Sequence, residues 1–126
     1  MGSSDYADIV ERILKRAGSK ALGYFGSATV SLKGDGSPVT DADRAAEEVI
    51  AEAFQKEFPQ FGLRGEEGTR SEGPSGTWYV DPVDGTSAFV QGLAHWGPTV
   101  CLVENGQLTF GAFWMPRLQE YWWAAR

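Results

Sequence analysis

The stretch WYVDPVDGTSAF, residues Trp78 to Phe89, decides how the rest of the chain is read. Its first half alternates, placing Tyr79 and Asp81 on one face of a strand and Trp78 and Val80 on the other. Two aspartates, a proline and a glycine then follow within five residues. Pro82 is expected to stop the strand ladder. Asp84-Gly85-Thr86 reads as a turn opening a short helix from Thr86 to Gln91, whose free N–H groups face the spot where both carboxylates emerge. Carboxylates bind hard divalent cations, and free N–H groups at a helix start bind phosphate oxygens. A strand closing in an Asx-type turn accounts for the same residues without any ligand, and both readings stand at this point.

Towards the C-terminus the period stays at two. TWYVD, GPTVCLVE and QLTFGAFWM are rich in β-branched and aromatic residues, Asn105-Gly106 is a hairpin turn, and EYWWAAR reads as a further strand of the same meander. Towards the N-terminus the period is helical. Tyr6, Ile9, Val10, Ile13, Leu14, Ala17 and Ala21 fall on one face of a helix from about Asp5 to Tyr24. ATVSLKGDGSPVT predicts a strand followed by a turn-rich loop. A second helix, capped by Thr40 or Asp41 and ending before Pro59, carries a stripe of Ala45, Ala46, Val49, Ile50, Ala53 and Phe54. The fold class is α+β, two N-terminal helices packed on a mainly antiparallel sheet, as a single domain over residues 1–126.

Composition excludes several functions. The chain has 126 residues, 42% of them hydrophobic, enough for a core of its own. Seventeen acidic against eleven basic residues, with no basic run, argue against nucleic acid as a partner. The one cysteine, Cys101, excludes an intramolecular disulfide and reads as a small buried apolar side chain. No basic-then-apolar leader opens the sequence, and no apolar run approaches the roughly 20 residues that span a bilayer. A cytoplasmic protein without membrane contact is the expectation.

Further carboxylates lie upstream: GEE, with Glu66 and Glu67, after the apolar FGL, and VTDAD, with Asp41 and Asp43, at the start of the second helix. Taken alone, the first pair reads as solvated loop charge and the second as residues favoured by the helix dipole. Taken in order, GSPVTDAD, GEE and DPVDGTSAF resemble the inositol monophosphatase family of lithium-sensitive, magnesium-dependent phosphatases, from about Ala28 to the end of the chain.

The resemblance implies stacked α and β layers and metal ligation by Glu66, Asp81, Asp84 and the Val83 carbonyl. Phosphate would be held by the amides of Gly85 and Thr86 within a substrate-binding stretch that includes Asp84 and Ser87. Asp43 would help hold a weaker additional metal, and Lys33 would be the lysine of the family's mobile loop. The implied cofactor is Mg2+, with Mn2+ as a substitute and Li+ as an inhibitor. The implied reaction is hydrolysis of a small phosphate monoester, such as inositol phosphate or histidinol phosphate, by a metal-activated water that Thr86 and Glu66 orient and deprotonate.

The resemblance covers the family's N-terminal lobe only. Nothing after Arg117 matches the aspartate-bearing stretch of its C-terminal lobe, so the second metal site is expected to lack one carboxylate. Phe110, Phe113, Trp114, Trp122 and Trp123 are expected to need cover from a second copy or a complementing lobe. The alternative function is a truncated, weakly active or inactive metal-binding remnant that assembles as an oligomer. A haloacid dehalogenase-type site is disfavoured because Asp81 and Asp84 are three apart rather than two, with Pro82 between them. A calcium loop from Asp41 to Glu52 lacks its glycine and keeps helical periodicity throughout. His95 reads as a surface or structural histidine.

Overall fold

A change of period along the chain separates two helices from a sheet, and the molecule is built that way. A computed structural model describes residues 3–25, 30–32 and 38–126. A short 3-10 turn, Ser3–Asp5, leads into α1, Tyr6–Leu22; then come β1, Val30–Leu32, and β2, Pro38–Thr40, followed by α2, Asp41–Glu57. The sheet strands follow: β3, Gly62–Gly65; β4, Arg70–Ser71; β5, Thr77–Asp84; then, after the five-residue α3, Thr86–Val90, the meander β6, Gly97–Glu104, β7, Gln107–Met115, and β8, Glu120–Ala125. Both long helices end within two residues of their sequence-based limits.

Six strands form one sheet in the order β4-β3-β5-β6-β7-β8, every pair antiparallel except β3 with β5. The β6–β7 turn is Asn105-Gly106, both residues left-handed with φ of 51° and 75°, as the twist of a two-residue hairpin demands. The segment expected to be one strand plus a loop is instead an antiparallel pair, β1 with β2, in which Leu32 faces Pro38. Gly34, Asp35 and Gly36, the expected turn, and Lys33 lie outside the described residues.

The helices cover one face of the sheet, α1 packing on α2 and β7 and α2 on β5 and β3. Trp78, Val80, Val100, Leu102, Phe110 and Ala112 point into that interface and are buried. The ring of Trp78 lies within 4.7–6.1 Å of Phe54, Phe58, Phe61, Tyr6 and Phe110. Each such large side chain stabilises the fold by about 1.5–3 kcal/mol through burial.

Three expectations about this core are corrected. Phe110 needs no outside cover, being buried under the chain's own helices, and Trp114 packs against Gly18 of α1 with the Lys15 ammonium 5.0 Å from its ring. Of the aromatic set, Trp122 and Trp123 stay exposed, at 62% and 47%. The buried stripe of α2 is Ala42, Asp43, Ala46, Glu47, Ile50, Ala51 and Phe54, turned from the apolar stripe towards two acidic residues. Cys101 is only half-buried and sits on the sheet face that the helices leave open, opposite Tyr79; burial pushes its thiol up.

Candidate active site

β3 and β5 run parallel with Gly65 beside Val80, so their C-terminal ends emerge at the same edge of the sheet. The Glu66 N–H donates to the Val80 carbonyl at 2.9 Å, which sets Glu66 next to Asp81 although fourteen residues separate them in sequence. Both residues line a groove of about 290 Å³ shared with Arg64, Tyr79, Thr99 and Cys101. Carboxyl ends of parallel strands are where α/β sheets place ligands, and here the alternation of β5 sends Asp81 to the open face while Val80 stays in the core.

Pro82 does not end the strand. β5 continues to Asp84, and the interruption is a shift of register: Asp81 pairs with Thr99, then Asp84 with Gly97. The missing N–H of Pro82 is thus accommodated by an irregularity, as bulges allow. Pro82 and Val83 are buried within it. Asp84 is exposed, and its Oδ2 accepts a long 3.4 Å hydrogen bond from the Thr99 hydroxyl.

Gly85 follows at φ 88°, where a Cβ would come within 2.7 Å of the His95 carbonyl. Glycine alone makes this turn without strain. α3 then starts at Thr86, its first internal bond running from Phe89 N–H to the Gly85 carbonyl. It ends at Val90 rather than Gln91, and Ser87 lies exposed on it. His95 is exposed beyond it, as expected of a surface histidine.

Beneath this loop lies the start of α2. Thr40 is the N-cap and forms a capping box with Asp43, whose Oδ1 accepts from both the Thr40 N–H and the Thr40 hydroxyl. The other oxygen, Oδ2, is 3.0 Å from the Thr86 hydroxyl, which also lies 2.9 Å from the Val83 carbonyl. The single Thr86 proton is therefore shared between two acceptors. Asp43 is 1% exposed with both oxygens engaged, so in this arrangement it is a brace between α2 and Thr86 rather than an open ligand.

Glu47, one helical turn further along α2, escaped the sequence analysis. It is 2% exposed, and its carboxylate accepts from Glu67 N–H at 2.8 Å, Thr69 N–H at 3.1 Å and the Thr69 hydroxyl at 2.7 Å. The available signal was positional: Asp43, Glu47 and Phe54 share a helical face with Ile50, and an acid there must have partners.

Among the described residues, no group of three or more His, Cys, Asp or Glu side chains is gathered closely enough to hold an ion as it stands. Glu66 and Asp81 are brought to one groove; Asp84 follows the register shift and meets the Thr99 hydroxyl, a residue of the same groove, while Asp43 lies beneath Thr86.

The inositol monophosphatase family model matches residues 4–126. The chain belongs to the inositol monophosphatase family. Among curated relatives of this family member, a histidinol-phosphatase of Chlorobaculum parvum is 40% identical over 119 residues, covering 90% of this chain and 45% of that protein. An inositol-1-monophosphatase of Rhizobium meliloti is 34% identical over 131 residues, covering 100% of this chain and 49% of its own. Among solved structures, the Thermotoga maritima IMPase superposes with a TM-score of 0.89 at 31% identity, over 97% of this chain and 48% of that one. The chain thus spans about half the length of the relatives it matches, and its sheet and helices are those of the N-terminal half of the inositol monophosphatase fold. No helix among the described residues is long and apolar enough to cross a membrane.

Proposed function

We propose that this chain serves the divalent-cation-dependent hydrolysis of a small phosphate monoester, of the kind named for its relatives: histidinol phosphate or an inositol phosphate. The observation that carries the reading is the placing of Glu66 and Asp81 on one groove; Thr86, whose hydroxyl is braced by the buried Asp43, follows directly after the strand of Asp81. The available donors are all oxygens: the carboxylates of Glu66, Asp81 and Asp84 and the Val83 carbonyl. That set suits Mg2+ or Mn2+ and does not suit soft metals. These four residues would hold the cation, with Li+ as an inhibitor. The Val83 carbonyl accepts from Thr86 through one lone pair and keeps the other. When bound, the cation supplies positive charge that offsets the repulsion between an acidic site and a phosphate dianion.

The chain's own residues do the rest. The Thr86 hydroxyl, its proton directed to Asp43 and Val83, would offer a lone pair to a water, and Glu66 would take a proton of that water as its oxygen bonds to phosphorus in line; the bond from phosphorus to the ester oxygen breaks opposite it, and the departing alkoxide takes a proton from solvent to leave as the alcohol. Asp43 acts through Thr86 by holding the hydroxyl in one rotamer. Gly85 and Thr86 amides, with Asp84 and Ser87, would orient the phosphate; no side chain at Gly85 stands between backbone and ligand. The test is Mg2+-dependent phosphate release from histidinol phosphate and inositol 1-phosphate. Release that Li+ suppresses and that Asp81→Asn abolishes supports the reading, and release independent of Mg2+ or of Asp81 contradicts it.

A second reading, a metal-binding remnant of low activity, draws on the open face of the sheet. Trp122 is exposed there at 62%, paired with Phe113, and Trp123, stacked on Phe110 at the far end of the other face, is exposed at 47%. Cover from a second copy or from a complementing lobe would remove that apolar surface from water. A cytoplasmic setting with small phosphorylated metabolites, not nucleic acid or membrane, fits either reading.

A further inference from the structure

The turn that carries Glu66 is tied both to itself and to α2. Within it, Gly65 N–H donates to the Thr69 carbonyl at 2.8 Å and Gly68 N–H to the Gly65 carbonyl at 3.1 Å. The Glu66 N–H donates to the Val80 carbonyl of the neighbouring β5 at 2.9 Å. The two remaining inward N–H groups, Glu67 and Thr69, and the Thr69 hydroxyl all donate to one side chain, that of Glu47 on α2. The fit is close: a Cβ on Gly65 would lie 2.3 Å from the Glu47 carboxylate. The turn therefore passes directly over a buried carboxylate, and glycine at 65 is what lets it do so.

We propose that Glu47 is a positioning residue: it presets the Gly65–Thr69 turn so that Glu66 stands beside Asp81 before any cation arrives. The proposal rests on the reading of Glu66 and Asp81 as cation ligands given above. Its physics is that of an acceptor facing three donors. A carboxylate satisfies all three, whereas a glutamine of the same shape turns an NH2 group towards at least one N–H or O–H and loses that bond. A turn released on one side lets Glu66 sample positions away from Asp81, and the cation must then select a minor arrangement. Residues that orient a ligand in this way change metal affinity by about 10–100-fold when altered.

Glu47→Gln in the full 126-residue chain tests this with two readouts. In amide hydrogen exchange, Glu67 and Thr69 should exchange about tenfold faster than in the unaltered chain, while Val80 and Val100 in the core keep their protection. In calorimetry with Mn2+ alone, affinity should fall by about tenfold in protein shown to be folded. A role confined to stability would lower the unfolding temperature and leave the affinity of the folded chain untouched. Thr69→Val, which removes one donor and keeps the backbone, should move both readouts in the same direction by less, and carries the test if Glu47→Gln does not fold. Unchanged exchange at Glu67 and Thr69 overturns the proposal; so does faster exchange with unchanged Mn2+ affinity. Asp81→Asn, run alongside, separates the two levels. If it leaves Mn2+ binding intact, the cation reading of the groove fails and Glu47 is judged on exchange alone.

Discussion

The two faces of the sheet are built from the same strands and do opposite things. On β5, Trp78 and Val80 face the helices at 1% and 4% exposure, while Tyr79 between them is 44% exposed and Asp81 reaches the groove. On β6, Val100 and Leu102 are buried, and Thr99 and Cys101 line the groove. On the closed face a side chain is held by hydrophobic burial and dense aromatic contact. The open face carries the carboxylates and, further along, Trp122. A strand that alternates in this way lets one face carry the stability while the other carries charge that would not be tolerated in a core. The cost of a substitution should therefore depend on the parity of its position more than on its place in the chain.

Adjacent residues give the sharpest contrast. Trp78→Ala should destabilise by about 3–5 kcal/mol, enough to unfold much of the population, whereas Tyr79→Ala should stay within about 0.5 kcal/mol. Urea unfolding of both checks this, and equal losses would break the distinction between faces.

A smaller effect is expected at Tyr121, whose hydroxyl donates to the Ala7 carbonyl of α1 at 2.7 Å and so ties β8 to the closed face. Burial, with Glu11 and Asp8 adding to it, pushes its phenol well above the ordinary value of 10.0. Because the folded pKa is raised, the stabilisation is present below the ordinary value and is lost as pH rises from there towards the folded one. Tyr121→Phe should cost about 1 kcal/mol at neutral pH and flatten part of the alkaline fall in thermal stability. Tyr6, raised by burial, Glu104 and Asp5, should keep the rest.

The smallest change in stability is expected at Trp122, where Trp122→Ser should alter it by no more than about 0.5 kcal/mol. Sedimentation should nevertheless shift towards monomer if the open face is where copies meet. A large destabilisation would mean that the face is structural after all.

What the sequence disclosed follows from the same division. Both long helices, the meander and the Asn105-Gly106 hairpin were legible because their period and turn chemistry are local. DPVDGT was legible as a site because paired carboxylates at a strand end call for a reason. The β3–β5 pairing was not, since a four-residue strand with glycine at each end offers too little alternation and its parallel partner lies beyond an intervening hairpin strand. Pro82 suggested a strand end because a proline interrupts a regular ladder, and the register shift that admits it is a tertiary feature. Glu47 was hidden by the rule that finds amphipathic helices: a stripe drawn through apolar residues turns away from buried acids, and only the donors at Glu67 and Thr69 show why an acid belongs there.

The central claim is that Glu66 and Asp81 together hold a divalent cation, and calorimetric titration with Mn2+ of the unaltered chain and of Asp81→Asn tests it most directly. One site per chain at moderate affinity is expected, with a second only at high concentration, because a second site is expected to lack one carboxylate and no group of three acidic side chains is gathered among the described residues. Removing one negative charge from the groove should weaken the first site on the order of 100-fold while the fold is retained. Superimposable isotherms for the two proteins, or a variant that unfolds yet still binds Mn2+, would show that Asp81 serves a structural turn and that the cation lies elsewhere.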